Sequence, residues 1–339
     1  MSKISIIGID LAKHVFQLHG SDQFGKTLYS KRLRRKELLA FLAQQPECLV
    51  AMEACGGAHH WAREIQKLGH RVAMIHPQYV TPFVRVNKND TRDAQAITEA
   101  ASRRNIPSVA VKSIEQQDIQ ALHRVRERLM KDRTAIGNEL RGLLAEYGVI
   151  IAKGHKAIRQ DLLGVLEDAQ NSLSIPGRAL MADLRAQWLE REAKIAVYDQ
   201  QLAQVVRDNK VCKRLQTIPG IGPINASLLY CHAGDPNHFA SARHFSASIG
   251  LVPRQHASGG KERLLGISKK GNKHVRKQLV HGARAVYRQL CRTESASRLG
   301  RWLKRMQGKH PNKIIVALAN KLARIAWAVM NKETVYQAA

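Results

Sequence analysis

The sequence predicts a multidomain chain with a mixed α/β domain over residues 1–112. A helical arm over 113–208 and a mainly α-helical region over 209–339 follow it. Three observations predict this. The first hundred residues alternate short apolar, strand-like runs with amphipathic helical stretches. From residue 114 the apolar residues fall on long, narrow seams with charged flanks. The last third is strongly basic. A length of 339 residues suits two or three domains at roughly 150 residues each.

Residues 4–10, ISIIGID, read as a buried strand ending in an acid. HVFQLHG (14–20) and KTLYSKRL (26–33) read as further strands, with SDQFG as the turn between them. RKELLAFLAQQ (35–45) reads as a helix and CLVAMEA (48–54) as a strand with Glu53 near its end. AHHWAREIQKLG (58–69) is a helix closed by Gly69, and HRVAMIHP (70–77) is a strand stopped by Pro77. Residues 90–103 form one more helix. The order β-β-β-α-β-α-β-α predicts a mixed sheet with helices on its faces.

Between Ile114 and Tyr147, Leu122, Val125, Leu129, Ile136, Leu140, Leu143 and Tyr147 fall at 3-4-7-4-3-4 spacing, a seam on one long helix. NSLSIPG (171–177) reads as a break. A second long helix is expected from Arg178, with Leu184, Trp188, Ile195, Tyr198, Leu202 and Val205 on its seam. Such a pair forms either a coiled-coil hairpin that serves as a dimer arm or an ordinary helical core.

Fifty-five Lys and Arg against 27 Asp and Glu give a formal net charge of +28. Self-repulsion on that scale calls for a polyanionic partner. Nucleic acid is the first expectation and an anionic membrane surface the second. No uninterrupted run of about 18 apolar residues is read, so no membrane span is expected, nor does MSKISIIGIDLAK read as a signal peptide. Five scattered cysteines without CxxC spacing argue against a disulfide framework or a zinc site. They fit a reducing cytoplasm. At 44% hydrophobic and 5% aromatic content the cores are aliphatic.

Four acids stand out: Asp10 and Glu53 at strand ends, Asp90 and Asp93 at a helix start. If the two strands are neighbours, Asp10 and Glu53 lie at one sheet edge. Residues three apart share a helix face, so Asp90 and Asp93 can both look back at that edge, with Arg85, Lys88 and Arg92 around them. Converging carboxylates repel one another unless a cation compensates, and hard oxygen ligands suit Mg²⁺ or Mn²⁺. Two such ions about 4 Å apart serve phosphodiester cleavage. The plainer reading makes Asp90 a helix cap. The residues alone leave both open.

IIGIDLAK, VAMEACGGAHHW and NKNDTRDAQAI resemble the Asp, Glu, Asp and Asp motifs of a RuvC-like (ribonuclease H-type) domain. More narrowly they resemble those of the DEDD-type transposases of bacterial insertion sequences, related to Piv-type DNA invertases. The resemblance spans nearly the whole chain. It implies Asp10, Glu53, Asp90 and Asp93 as metal ligands and DNA as substrate. It further implies a structured guide (bridge) RNA, a homo-oligomer between dimer and tetramer, and action in the bacterial cytoplasm at the nucleoid.

In the last third, TIPGIGPINAS (217–227) resembles a helix-hairpin-helix turn, whose Gly220 and Gly222 let backbone N–H groups approach a phosphate. Sixteen basic residues and two acids lie between Leu251 and His310. Among them Arg254, Lys261, Arg263, Lys269, Lys270, Lys273, Lys277, Arg284 and Arg288 are the expected phosphate contacts. NKHVRKQLVHGARAVYRQL (272–290) reads as an amphipathic helix with Val275, Leu279, Ala283, Val286 and Leu290 inward. RQHASGGKER (254–263) reads as a polar loop around Ser258, with no local base beside it. The resemblance makes Ser258 a nucleophile that forms a covalent phosphoserine link, with Ser268 its nearest competitor. Two other functions fit the residues: a junction-resolving nuclease that uses the four acids alone, and a non-catalytic nucleic-acid scaffold. A pure binder gains nothing from clustered carboxylates.

Overall fold

The computed structural model describes residues 3–84, 89–293 and 297–338. Arg85, Lys88 and Glu294 lie outside the described residues. The chain divides into two compact units, Met1–Ser113 and Ile114–Ala339.

Unit 1 runs β1 (Ile6–Leu11), β2 (Val15–Ser21), β3 (Thr27–Arg34), a 3-10 turn (Arg35–Glu37), α1 (Leu38–Ala43), β4 (Leu49–Glu53), α2 (Ala58–Lys67), β5 (Arg71–Ile75), α3 (Pro77–Val80), α4 (Asp90–Ser102) and β6 (Ser108–Val109). The expected order is present, with α3 and β6 added. The strands form one mixed sheet in the order β3-β2-β1-β4-β5-β6. β1 pairs antiparallel with β2 and parallel with β4.

Alternation along each strand sends successive side chains to opposite faces. Ile7, Ile9, Val50 and Met52 join Leu38, Leu42, Trp61 and Ile65 in the core under α1 and α2. Ala51 and Ile75 join Ala96, Ile97 and Ala100 of α4 on the other face. Gly8 belongs to the α4 face, and its missing side chain is what brings that helix close. A Cβ there would lie 2.2 Å from Thr98 Oγ1 and 2.4 Å from the Ala94 carbonyl oxygen. Thr98 Oγ1 lies 2.9 Å from that same carbonyl and 3.2 Å from both the carbonyl oxygen and Nδ1 of His19. Burial lowers the His19 pKa and keeps the ring neutral, so one ring nitrogen is left to accept.

Unit 2 is mainly helical: α5 (Ile114–Glu146), a π turn (Ala157–Asp161), α6 (Leu162–Glu167), α7 (Ile175–Asp208), α8 (Lys210–Gln216), α9 (Pro223–Ala233), α10 (Ala242–Ser248), the hairpin β7 (Pro253–Ser258) and β8 (Lys261–Ile267), α11 (Lys273–Thr293), α12 (Arg298–Lys304) and α13 (Pro311–Asn331). α5 and α7 lie antiparallel, tied by Arg126–Asp199 at 2.5 Å and Arg133–Glu192 at 3.6 Å. Leu140, Leu144, Leu184 and Trp188 share a core with Ile158 and Leu162.

One expectation needs correction. α7 begins at Ile175, not Arg178. The Ser174 hydroxyl caps it by accepting the Gly177 N–H at 3.2 Å, and a proline in the first turn has no helical hydrogen bond to lose. α13 has the length and mean hydropathy of a membrane span but is not an uninterrupted apolar run. Its charged residues interrupt the run, and Ile314, Leu318, Leu322 and Val329 are buried in the largest core of the unit.

His123 of α5 is buried, with Nε2 2.9 Å from Ser227 Oγ on α9 and its ring 6.0 Å from that of His274 on α11. One turn along α5, Glu127 pairs with Lys277 at 2.6 Å and approaches His274 Nε2 at 3.5 Å. Burial first, then the charges of His274 and Arg126, lower the His123 pKa from 6.5 to about 3.

Two predictions follow from this packing. Gly8→Ala should cost about 1–3 kcal/mol through overpacking of α4 on β1, and a chain melting as wild type would contradict the close approach. For His123 the unfolded chain takes a proton below pH 6.5 that the folded chain refuses down to about pH 3. Stability is therefore present above pH 6.5 and falls as pH drops through that window, by on the order of 1.4 kcal/mol per pH unit at the limit. The urea midpoint at pH 5 should lie below that at pH 7.5, and the gap should shrink in His123→Gln. An unchanged gap would show that His123 is not the cause.

Candidate metal centre and nucleic-acid face

Asp10 is the penultimate residue of β1 and shares the α4 face with Gly8 by alternation. In the parallel pairing of β1 with β4, Ile9 stands opposite Met52. Glu53 is therefore next in register beside Asp10 at the same sheet edge. Asn89 caps α4, its side-chain oxygen accepting the Thr91 N–H at 3.1 Å. This corrects the reading of Asp90 as the cap. The cap precedes it by one residue and leaves Asp90 and Asp93 in the first turn, where the helix end favours negative charge.

The oxygens of Asp10, Asp90 and Asp93 lie within 4.8 Å of one another. Asp10 and Asp93 are half-buried and Asp90 is exposed. Glu53, also half-buried, stands outside this group of three, one strand along the same edge. Cys55, just past Glu53, registers both acids: burial and the charges of Glu53 and then Asp10 push its thiol pKa up. Three carboxylates at this spacing repel one another. An all-oxygen donor set open to solvent on one side fits a hard cation that retains water ligands, as Mg²⁺ and Mn²⁺ do.

In unit 2, residues 254–263 form a hairpin rather than the expected loop. Ser258 pairs with Lys261 across a two-residue turn, and Gly259 and Gly260 carry φ of +55° and +77°, the backbone a type I′ turn demands. Ser258 sits exposed at the tip. Ser268 is half-buried at the hairpin base, where its N–H donates to the Val252 carbonyl at 2.8 Å. Arg254, Lys261 and Arg263 are exposed on the two strands, Lys269 and Lys270 follow, and Lys273, Arg284 and Arg288 are exposed along α11. Lys277 differs, because Glu127 neutralises it. The adjacent Arg276 turns inward and donates to the Ile249 carbonyl at 2.7 Å.

Pro219–Gly222 joins α8 to α9 as the expected turn. A Cβ on Gly220 would lie 2.5 Å from Val286 and 2.7 Å from the Gly282 carbonyl oxygen, so contact with α11 alone accounts for that glycine. Gly222 is exposed at the start of α9, with open space where a Cβ would be. Asn89 and Thr98, which place the acidic helix, were missed in the sequence. An Asn immediately before the acidic turn was the available signal for the first, and Thr98 had none.

Two family models match the chain. One, a DEDD transposase model, covers residues 7–149, and the other, described as transposase IS116/IS110/IS902 family, covers residues 212–298. A probable family 20 transposase of Pseudomonas aeruginosa is 46% identical over 98% of this chain and 99% of its own length. The transposase for insertion sequence element IS1111A of Coxiella burnetii is 44% identical over 99% of this chain and 92% of its own. A pilin gene-inverting protein of Moraxella bovis is 27% identical over 80% and 76% respectively. With both family models matched and such relatives aligned end to end, the chain belongs to the IS116/IS110/IS902 family of insertion-sequence transposases.

Proposed function

We propose that this transposase exchanges DNA strands with two sets of residues, a cation-binding acidic centre in a RuvC-like unit 1 and a serine nucleophile, Ser258, in unit 2. The observation that carries the reading is the convergence of Asp10, Asp90 and Asp93 from a strand end and a helix start. Glu53 completes the set from the neighbouring strand. These acids would hold Mg²⁺ or Mn²⁺, which when bound supplies charge neutralisation and polarisation of a phosphodiester oxygen.

The chain's own residues do the rest. The Ser258 oxygen forms a bond to the scissile phosphorus. The bond from phosphorus to the departing sugar oxygen breaks, the serine proton is lost, and the released sugar hydroxyl takes up a proton. Arg254, Lys261 and Arg263, on the same ribbon, favour the negative charge that develops. The exposed cations of α11 and of 269–273 hold the flanking backbone, with Gly220 and Gly222 as a further backbone approach. Lys277 contributes less than the others because it is already paired. The α5–α7 hairpin serves as an oligomerisation arm, in a dimer to tetramer. The acids of one protomer then act with the serine of another. A structured guide RNA shares the basic surface in the bacterial cytoplasm. The members' resemblance supports the last three points.

Asp10→Ala and Asp93→Ala should each remove strand exchange and leave nucleic-acid binding and folding near wild type. A readout independent of activity is the Mn²⁺-induced rise in melting midpoint, which should vanish in Asp93→Asn. A rise equal to wild type would sink the metal assignment. Ser258→Ala should abolish the covalent protein–DNA adduct on a denaturing gel, whereas Ser268→Ala should retain it. The opposite pattern would move the nucleophile to Ser268.

A further inference from the structure

We propose that unit 1 carries a subsite for a nucleic-acid backbone on the reverse face of the sheet edge that holds the acids. An open cleft of about 650 Å³ lies there, lined by His14, Arg34, Arg35, Lys36, Leu39 and Trp61. Arg34 ends β3, and Arg35 and Lys36 form the turn into α1. The turn is held by backbone bonds: Arg35 N–H donates to the His14 carbonyl at 2.9 Å and Arg34 N–H to Glu37 Oε2 at 2.8 Å. The nearest carboxylate in sequence is thus turned onto the backbone. Among the described residues, no salt bridge joins His14, Arg34, Arg35 or Lys36 to an acid. Three consecutive cations therefore stand without a countercharge.

The cleft is also shaped for a backbone rather than for bases. The Arg35 guanidinium stacks over Trp61, 4.8 Å from the ring centroid, which fixes its plane while leaving donors at its edge. Trp61 is only 5% exposed and packs edge-on against Phe16, so it is the floor of the cleft and offers no face to a base. β1 and β3 both run antiparallel to β2 and hence in one direction, so Asp10 and Arg34 end at the same sheet edge. Asp10 is level with Gln17 and Arg32 in register, so Arg34 lies two strand spacings across and two residues farther along, roughly 12 Å away. The acids take the α4 face and the cleft the α1–α2 face, and Arg34, opposite Val15 in register, is sent by alternation to the acids' face, so it stands at the edge between the two. A strand whose phosphate reaches the acids would round this edge and place flanking phosphates on Arg34–Lys36. The inference rests on the reading of the acids as a phosphodiester site.

The test uses the full chain and three labelled probes: a single-stranded DNA, a DNA duplex and a single-stranded RNA, each titrated across NaCl concentrations. In Arg34→Gln/Lys36→Gln the slope of log K against log salt should fall by about 0.7 per lost contact on a single strand and about 0.9 on duplex. The charge-keeping pair Arg34→Lys/Lys36→Arg should retain the wild-type slope. A fall on DNA alone assigns the subsite to the recombining strand, and a fall on RNA alone assigns it to a guide strand. A fall on both assigns it to the shared phosphate backbone. Unchanged slopes on all three probes would overturn the proposal, as would an equal fall in the charge-keeping pair. Asp93→Asn, run in parallel, separates the two ideas: if it keeps recombination and the Mn²⁺ response, the acidic centre falls while the salt slopes still judge the cleft.

Discussion

The acidic centre depends on how closely α4 docks on β1. The contact is made at Gly8, where a Cβ would lie 2.2 Å from Thr98 Oγ1, and it is fixed by the hydrogen bonding of Thr98 and His19. Gly8 precedes Asp10 by two residues on the same strand face, and Ala94 directly follows Asp93. The residues that set the docking register are thus neighbours of the residues whose oxygens must meet. A slip of one helical turn moves α4 by about 5.4 Å, more than the whole 4.8 Å span of the cluster. Small residues at Ala94, Ala96 and Ala100 let the helix lie flat, and the cap at Asn89 starts it where its first turn overhangs the sheet edge.

Net charge alone does not locate a polyanion face. Several cations of unit 2 are engaged in structure: Arg126 with Asp199, Lys277 with Glu127, Arg214 with Glu333, and Arg276 with a backbone carbonyl. Exposed cations line the β7–β8 ribbon and α11, and a further run (Arg298, Lys304, Arg305, Lys309, Lys313) follows on and after α12. An isolated two-stranded hairpin is marginal in water. This one is anchored at its base, where Ser268 and Lys269 N–H groups donate to the Val252 and Gly250 carbonyls, and every residue of β7 is exposed. Such a ribbon presents its tip and both faces to a partner at once.

Most of the element order was legible because period-two and period-3.6 patterns are strong where one face is buried. The β1, β2, β4 and β5 runs, α2, α5 and α11 all carry that signal. Patterns fail where nothing is buried: β7 has no inward face, so its residues read as loop, and only Gly259–Gly260 with flanking extended residues marks the turn. The start of α7 was missed because Pro176 and Gly177 read as breakers, though the first turn tolerates both once Ser174 caps it. The convergence of Asp10 with Asp90 and Asp93 was legible from spacing and order. Which acid caps the helix was not, since Asn89, Asp90 and Asp93 all compete for that role in sequence, and only backbone geometry shows that Asn89 takes it.

On the proposed mechanism, building the serine on a different unit from the acids has an electrostatic reason. A hydroxyl that must lose a proton is hindered beside carboxylates, whose charge disfavours a second anion, and helped beside Arg254, Lys261 and Arg263. The acids in turn need a cation before any phosphodiester approaches them, whereas the ribbon needs none. Building the two sets on separate units lets each be tuned without opposing the other: one edge gathers negative charge for a metal, and one ribbon gathers positive charge for a phosphate. On that mechanism, strand exchange needs both sets at one phosphate. On the same mechanism, neither the acids alone nor the ribbon alone cuts a strand, which guards a chromosome against cleavage by one set without the other.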